Sequence, residues 1–417
     1  MTKTMQPLGT RLRAVGIALA LAIVLVPAVV GTKSAEAQTF KVLYSFTGGA
    51  DGGEPLAGLV RDAAGNLYGT TLYGGSGGPY GNGVVFELDN AGTETVLYTF
   101  TGGTDGGFPY AGLVRDAAGN LYGTTSGGGA YGEGTVFMLD KTGTETVLYS
   151  FCSQANCTDG ACPMAGLLLD AAGNLYGTTE SGGSSNCYLG CGIVFMLDNT
   201  GTETVLYSFT GAEGDGEYPV AGLVRDAAGN LYGTTWRGGN LKHNCGMGPG
   251  CGTAFMLDEA GKETVLHSFG SKGDGAYPYA GLVRDAAGNL YGTTGYGGDS
   301  GLGTAFRLDK TGNETVLHSF RGTRADGAYP EAGFVRDSKG NLYGTTEGGG
   351  FNRCDGSCGV VFKLDKTGKE TVLYRFTGGS DGEGPSAGLV RDAKGNLYGT
   401  AYWGGAGGQG TVFKLTP

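Results

Sequence analysis

One segment, Ala-Gly-Leu-Val-Arg-Asp-Ala-Ala-Gly-Asn-Leu-Tyr-Gly-Thr-Thr, recurs seven times with small variations, beginning at Ala57, Ala111, Ala165, Ala221, Ala280, Ala332 and Ala387. The steps between copies run from 52 to 59 residues. A period of this size marks an array in which each unit is one supersecondary block. The seven units fill nearly all of the chain after its N-terminus, which overrides the two or three domains that 417 residues would otherwise suggest.

Within the second unit, Gly112–Asp116 and Leu121–Thr125 are short apolar runs around the turn Ala117-Ala118-Gly119-Asn120. Thr135–Asp140 and Glu145–Phe151 flank a second turn, Lys141-Thr142-Gly143. Runs of 5–7 residues bounded by Gly or Asp, with no helical period, predict four strands per unit. Seven such units predict an all-β, seven-bladed β-propeller of four-stranded antiparallel blades. The ends predict closure. A spare fourth-strand copy, Lys41–Phe46, precedes the first unit, and the last unit stops at its third strand, Thr411–Leu415. Pairing the two shuts the ring and covers both free edges.

The combination Leu-Tyr-Gly-Thr-Thr, Gly-Gly, Gly-Thr-Val-Phe-x-Leu-Asp and Glu-Thr-Val-Leu-Tyr-Ser-Phe resembles the GloVer-type tandem repeat of secreted bacterial proteins over residues 40–415. The resemblance implies an extracellular or surface-exposed repeat protein without an established activity. The first two strands are also similar to those of NHL-type propeller blades.

Residues 1–37 read as a signal peptide: Lys3, Arg11 and Arg13 precede the apolar run Ala14–Gly31, and Ala35-Glu36-Ala37 has the form of a cleavage site. The mature chain is then a single propeller domain over 38–417, secreted to the periplasm or beyond, with no membrane span. It is expected to be a monomer. A net charge of −11 with dispersed Lys and Arg excludes nucleic acid as a partner.

All nine Cys fall in the longer loops. Close spacing in an exported chain predicts the disulfides Cys187–Cys191, Cys245–Cys251 and Cys354–Cys358. Cys152 and Cys157 bracket an insertion and are the preferred pair, leaving Cys162 as the free thiol. Zinc at these pairs is disfavoured, because they lie in separate units and only His243 is near one.

Strand alternation places the fourth-to-first and second-to-third loops on one rim, where a binding face should lie. Each fourth-to-first loop carries Asp-Gly-x-x-Pro, with Asp51, Asp105, Asp159, Asp215, Asp274, Asp326 and Asp381. These carboxylates suit a turn that they cap themselves, with calcium as the weaker expectation. The residues flanking Pro vary. Phe108, Tyr218, Tyr277 and Tyr329 precede it, and Tyr110, Tyr279 and the lone carboxylate Glu331 follow it. With Trp236 and Trp403 of the second-to-third loops, they give an aromatic rim suited to a carbohydrate or an extracellular protein. No catalytic residue stands out: His267 and His318 take a structural Tyr place. The expected function is therefore a non-enzymatic binding propeller without a cofactor. The alternatives are a metal-assisted hydrolase, lactonase or lyase, and a purely structural repeat protein.

Overall fold

The computed structural model describes residues 38–270, 273–350 and 358–417, all within the compact unit Ala37–Pro417. The expected signal peptide, 1–37, and Cys354 lie outside the described residues. Seven four-stranded antiparallel sheets follow one another along the chain. Each begins with a two-residue strand, such as Val114–Arg115, followed by Leu121–Thr125, Thr135–Leu139 and the outer strand Glu145–Ser150. The seventh sheet is composite. Thr39–Ser45 pairs antiparallel with Thr411–Thr416, placing Thr39 opposite Thr416 and Ser45 opposite Thr411. The chain is a closed seven-bladed propeller, as the repeat predicts.

Two further sets of contacts run round the ring without a gap. The second-strand Thr of each blade donates its hydroxyl to the carbonyl of the Ala that opens the next blade, from Thr70 to Ala111 (3.1 Å) through Thr345 to Ala387 (2.9 Å). Thr400 completes the circuit by donating to Ala57 at 3.0 Å. Between blades, the Phe that ends each outer strand meets the third-strand Phe of the next, from Phe46 against Phe86 (5.1 Å) to Phe376 against Phe413 (5.2 Å). These rings are fully buried, and edge-to-face packing adds about 0.5–1.5 kcal/mol per pair beyond burial.

A register shift recurs between the third and outer strands of every blade, for example between Val136 and Phe137. Such a bulge strengthens local twist. Near the end of an outer strand a residue lies beside the first residue of the next outer strand, as His318 lies 4.0 Å from Glu370. The first-strand Arg lies over the second-strand Tyr of the preceding blade at six junctions, for example Arg115 over Tyr68 at 5.7 Å. In the third blade Leu169 fills that place and packs near Tyr122.

Candidate functional site

The two long loops of each blade lie on one rim and pair with each other. Gly53 bridges Tyr73, Gly107 bridges Gly127 and Glu383 bridges Trp403, and Gly275–Ala276 pairs with Tyr296–Gly297. Three of the predicted disulfides, Cys152–Cys157, Cys187–Cys191 and Cys245–Cys251, staple these loops. Cys358 is also disulfide-bonded. Cys162 is the free thiol. It donates to Glu133 at 3.4 Å, and burial followed by the Glu133 charge pushes its pKa up to about 12.

The residue before each Pro adopts a left-handed backbone: Glu54, Phe108, Cys162, Tyr218, Tyr277 and Tyr329 have φ between 54° and 59°, and Gly384 has 64°. This conformation costs an L-residue about 1–2 kcal/mol, and hydrogen bonds hold it in place. Phe108 N–H donates to Asn82 of the preceding blade (2.8 Å), while its carbonyl accepts Ser126 N–H from its own second-to-third loop (3.1 Å). The same bridge recurs at Tyr329, whose N–H reaches Leu302 and whose carbonyl accepts Glu347 N–H.

The kinked backbone separates the two residues that flank each Pro. All seven residues after Pro (Leu56, Tyr110, Met164, Val220, Tyr279, Glu331 and Ser386) line one chamber of about 210 Å³. Trp236 and Glu180, each directly after the second-strand Thr-Thr, complete the lining. The residues before Pro are not in it. Tyr277 is fully buried and accepts Met247 N–H on its hydroxyl (3.0 Å). Phe108 packs edge-on to Tyr73, and Tyr329 packs on Tyr296. Tyr218, Trp236, Tyr277, Tyr296 and Tyr329 form an aromatic arc, with successive centroids 5.3–6.2 Å apart. Trp403 is 47% exposed and packs at a tilt against Tyr402, outside the chamber lining.

Electrostatically the chamber is one-sided. Burial, and then the Glu347 charge, raises the Glu331 pKa to about 7. Burial also raises Glu180 and Glu347. Tyr110 is raised by burial and then by Glu331, Glu347 and Glu180, so these three carboxylates share one field. Glu180 and Glu347 went unrecognised in the sequence. The available signal was variation at the position that follows the constant Leu-Tyr-Gly-Thr-Thr.

The seven repeated Asp residues lie at separate blade junctions, each engaged in its own turn. Asp105 accepts Thr101 N–H (2.8 Å) and the Tyr98 hydroxyl (3.1 Å).

The family model of the Gloeobacter/Verrucomicrobia repeat matches residues 32–247, 157–356 and 243–417. No curated protein matches the chain. Among solved structures, virginiamycin B lyase from Staphylococcus aureus is similar at 13% identity and a TM-score of 0.55, over 91% of this chain and 99% of that one. A gluconolactonase from Xanthomonas campestris aligns at 15% identity and a TM-score of 0.44, over 91% of this chain and 89% of that one. The first likeness concerns the fold alone; the second, at that score, carries no argument.

Proposed function

The chain belongs to the Gloeobacter/Verrucomicrobia repeat family, and from that premise we propose an exported, monomeric, non-enzymatic propeller that binds a carbohydrate in the chamber of its long-loop rim. The observation that carries this reading is the convergence on one chamber of all seven post-Pro residues, a position at which the repeat carries aliphatic, aromatic, acidic and hydroxyl side chains in different units. Tyr110, Tyr279 and Trp236 offer flat faces for the C–H side of a sugar ring, and Glu180 and Glu331 offer acceptors for its hydroxyls. The carboxylates oppose anionic sugars and suit neutral or amino sugars. Export agrees with three loop disulfides. Among the described residues no helix is long and apolar enough to cross a membrane.

The test is a glycan array followed by calorimetry on the best ligand. Tyr110→Ala and Tyr279→Ala are each expected to weaken binding at least about tenfold, roughly the 1.4 kcal/mol that one lost ring contact represents. Trp403→Ala should bind as wild type. Absence of glycan binding by wild type, or undiminished binding by both Tyr variants, would sink the proposal.

A second reading, a propeller hydrolase, lactonase or lyase, is favoured by Glu331 alone, since a carboxyl with a pKa of about 7 suits a general acid. Turnover of the bound ligand by wild type and its loss in Glu331→Gln would select that reading.

A further inference from the structure

At five of the seven blade junctions, a Tyr near the end of one outer strand meets the Asp of the following loop, as Tyr98 meets Asp105 at 3.1 Å. At the two junctions flanking the fifth blade (283–319) the Tyr is replaced by His. The first residue of the next outer strand adds a Glu. His267, Asp274 and Glu314 form one group, and His318, Asp326 and Glu370 form the other. In each group one ligand atom per residue lies within 4.8 Å of the other two.

The geometry is close to that of a coordination sphere. His318 Nε2 lies 3.1 Å from Asp326 Oδ1 and 4.0 Å from Glu370 Oε2. His267 Nε2 lies 3.1 Å from Asp274 Oδ2. Zinc–ligand bonds of 2.0–2.2 Å place neighbouring ligand atoms roughly 3–3.5 Å apart, so the His and Asp of each group already stand at ligand spacing and its Glu, Glu314 or Glu370, must close in. Outer hydrogen bonds orient the Asp ligands. Asp326 accepts the N–H groups of Arg321 (3.0 Å) and Gly327 (2.8 Å), and Asp274 accepts that of Gly270 (3.1 Å). Such partners fix the ligating carboxylates in position.

The Glu370 side chain is only 9% exposed, and its Oε1, like that of Glu314, has no hydrogen-bond partner among the described residues. That orphan oxygen recurs at Glu94, Glu145, Glu203 and Glu263, so it does not by itself indicate a metal. The nitrogen distinguishes the two groups. At the Tyr junctions the phenol is kept protonated: burial and then the Asp105 and Glu145 charges raise the pKa of Tyr98. An imidazole with two carboxylates is a borderline donor set that favours zinc, cobalt or nickel over calcium.

We propose that the two junctions flanking the fifth blade each bind a divalent transition metal, of the zinc type, through His267, Asp274 and Glu314 and through His318, Asp326 and Glu370. Each ion would join a loop to the outer strands on either side of it, leaving a coordination position for water. These sites are separate from the carbohydrate chamber and do not depend on its assignment.

The test uses the full mature chain, stripped with a chelator and titrated with zinc by calorimetry and with cobalt(II) by its visible d–d bands. Wild type should take two ions per chain, His318→Tyr one, and the double variant His267→Tyr with His318→Tyr none. Zinc should raise the melting temperature of wild type reversibly and leave that of the double variant unchanged. Because Tyr occupies the same place in five units, the variants should keep the metal-free melting temperature. A wild type that binds no zinc, or a double variant that binds as many ions as wild type, would overturn the proposal.

Discussion

At the scale of single residues, two glycines separate two constraints that the repeat imposes. Gly112 has an ordinary backbone, but a Cβ there would lie 2.8 Å from the carbonyl oxygen of Gly58 in the preceding blade. The equivalent glycines touch in sequence round the ring, and Gly58 meets Gly388 to complete it. The approach is closest at Gly112, Gly281 and Gly333, where a Cβ would lie 2.8–3.0 Å from a neighbouring carbonyl oxygen, and relaxes to 3.6–3.7 Å at Gly166 and Gly388. Gly384 presents the converse case: a Cβ would have only Glu347 Cγ at 3.9 Å, but the φ is +64°. Gly112→Ala should destabilise by about 1–3 kcal/mol through overpacking. Gly384→Ala should cost about 1 kcal/mol through backbone strain alone. Denaturant melts of the two variants will measure both. If Gly112→Ala proves neutral, the close approach of the inner strands is wrong.

At the scale of elements, the strand Thr39–Ser45 decides whether the ring is held shut. It covers the edge of Thr411–Thr416 and brings fully buried Phe46 against Phe86. Its Phe40 stands where the other outer strands have Glu, and it stacks on Tyr374 at 3.7 Å, replacing a carboxylate pair with an apolar contact. Without it, closure rests on Thr400 to Ala57, on Glu54 N–H to the Gln409 carbonyl (2.8 Å), on Arg61 over Tyr398 and on the glycine contacts. Removal of residues 38–46 should cost more than the roughly 3–5 kcal/mol of a single buried Phe truncation and leave an aggregation-prone edge. Thermal melting with light scattering will register both effects. A truncated chain that melts like the whole one would show that the strand is dispensable.

At the scale of the whole molecule, the junction carboxyls act together. Glu94, Glu145, Glu203 and Glu263 face Asp51, Asp105, Asp159 and Asp215, and burial followed by those charges raises each from 4.5 to about 7. A pKa raised in the folded state gives stability that is complete below the unfolded value near 4.5 and is lost as pH rises through 7. The turn Asp residues act oppositely. At Asp116, burial opposes the shift, but hydrogen bonds from Asn120 and Tyr122 outweigh it and lower the pKa. Their stability is present above about 3.8 and is lost on further acidification. The melting temperature should therefore be higher near pH 5 than near pH 8 and fall again below pH 4. Gln at the four Glu positions should flatten the fall between pH 5 and 8, and an unchanged slope in that variant would assign it to other groups.

Architecture was legible because each blade writes its strands, turns and buried Phe residues into local sequence, and seven copies make that pattern unmistakable. The shared rim followed from strand alternation, and the disulfides Cys152–Cys157, Cys187–Cys191 and Cys245–Cys251 followed from short separations within single loops. The chamber was legible only in part. Tyr110, Tyr279, Glu331 and Trp236 stood out as departures from the repeat, but Phe108, Tyr218, Tyr277 and Tyr329 looked equivalent to them. Only the left-handed kink before Pro, set by hydrogen bonds to two different loops, leaves one residue of each pair in the chamber lining and the other out of it. Glu180 joins Glu331 and Glu347, and His318 joins Glu370, across separations that no local pattern encodes. Ring closure and strand twist bring these side chains together, and both are properties of the whole fold.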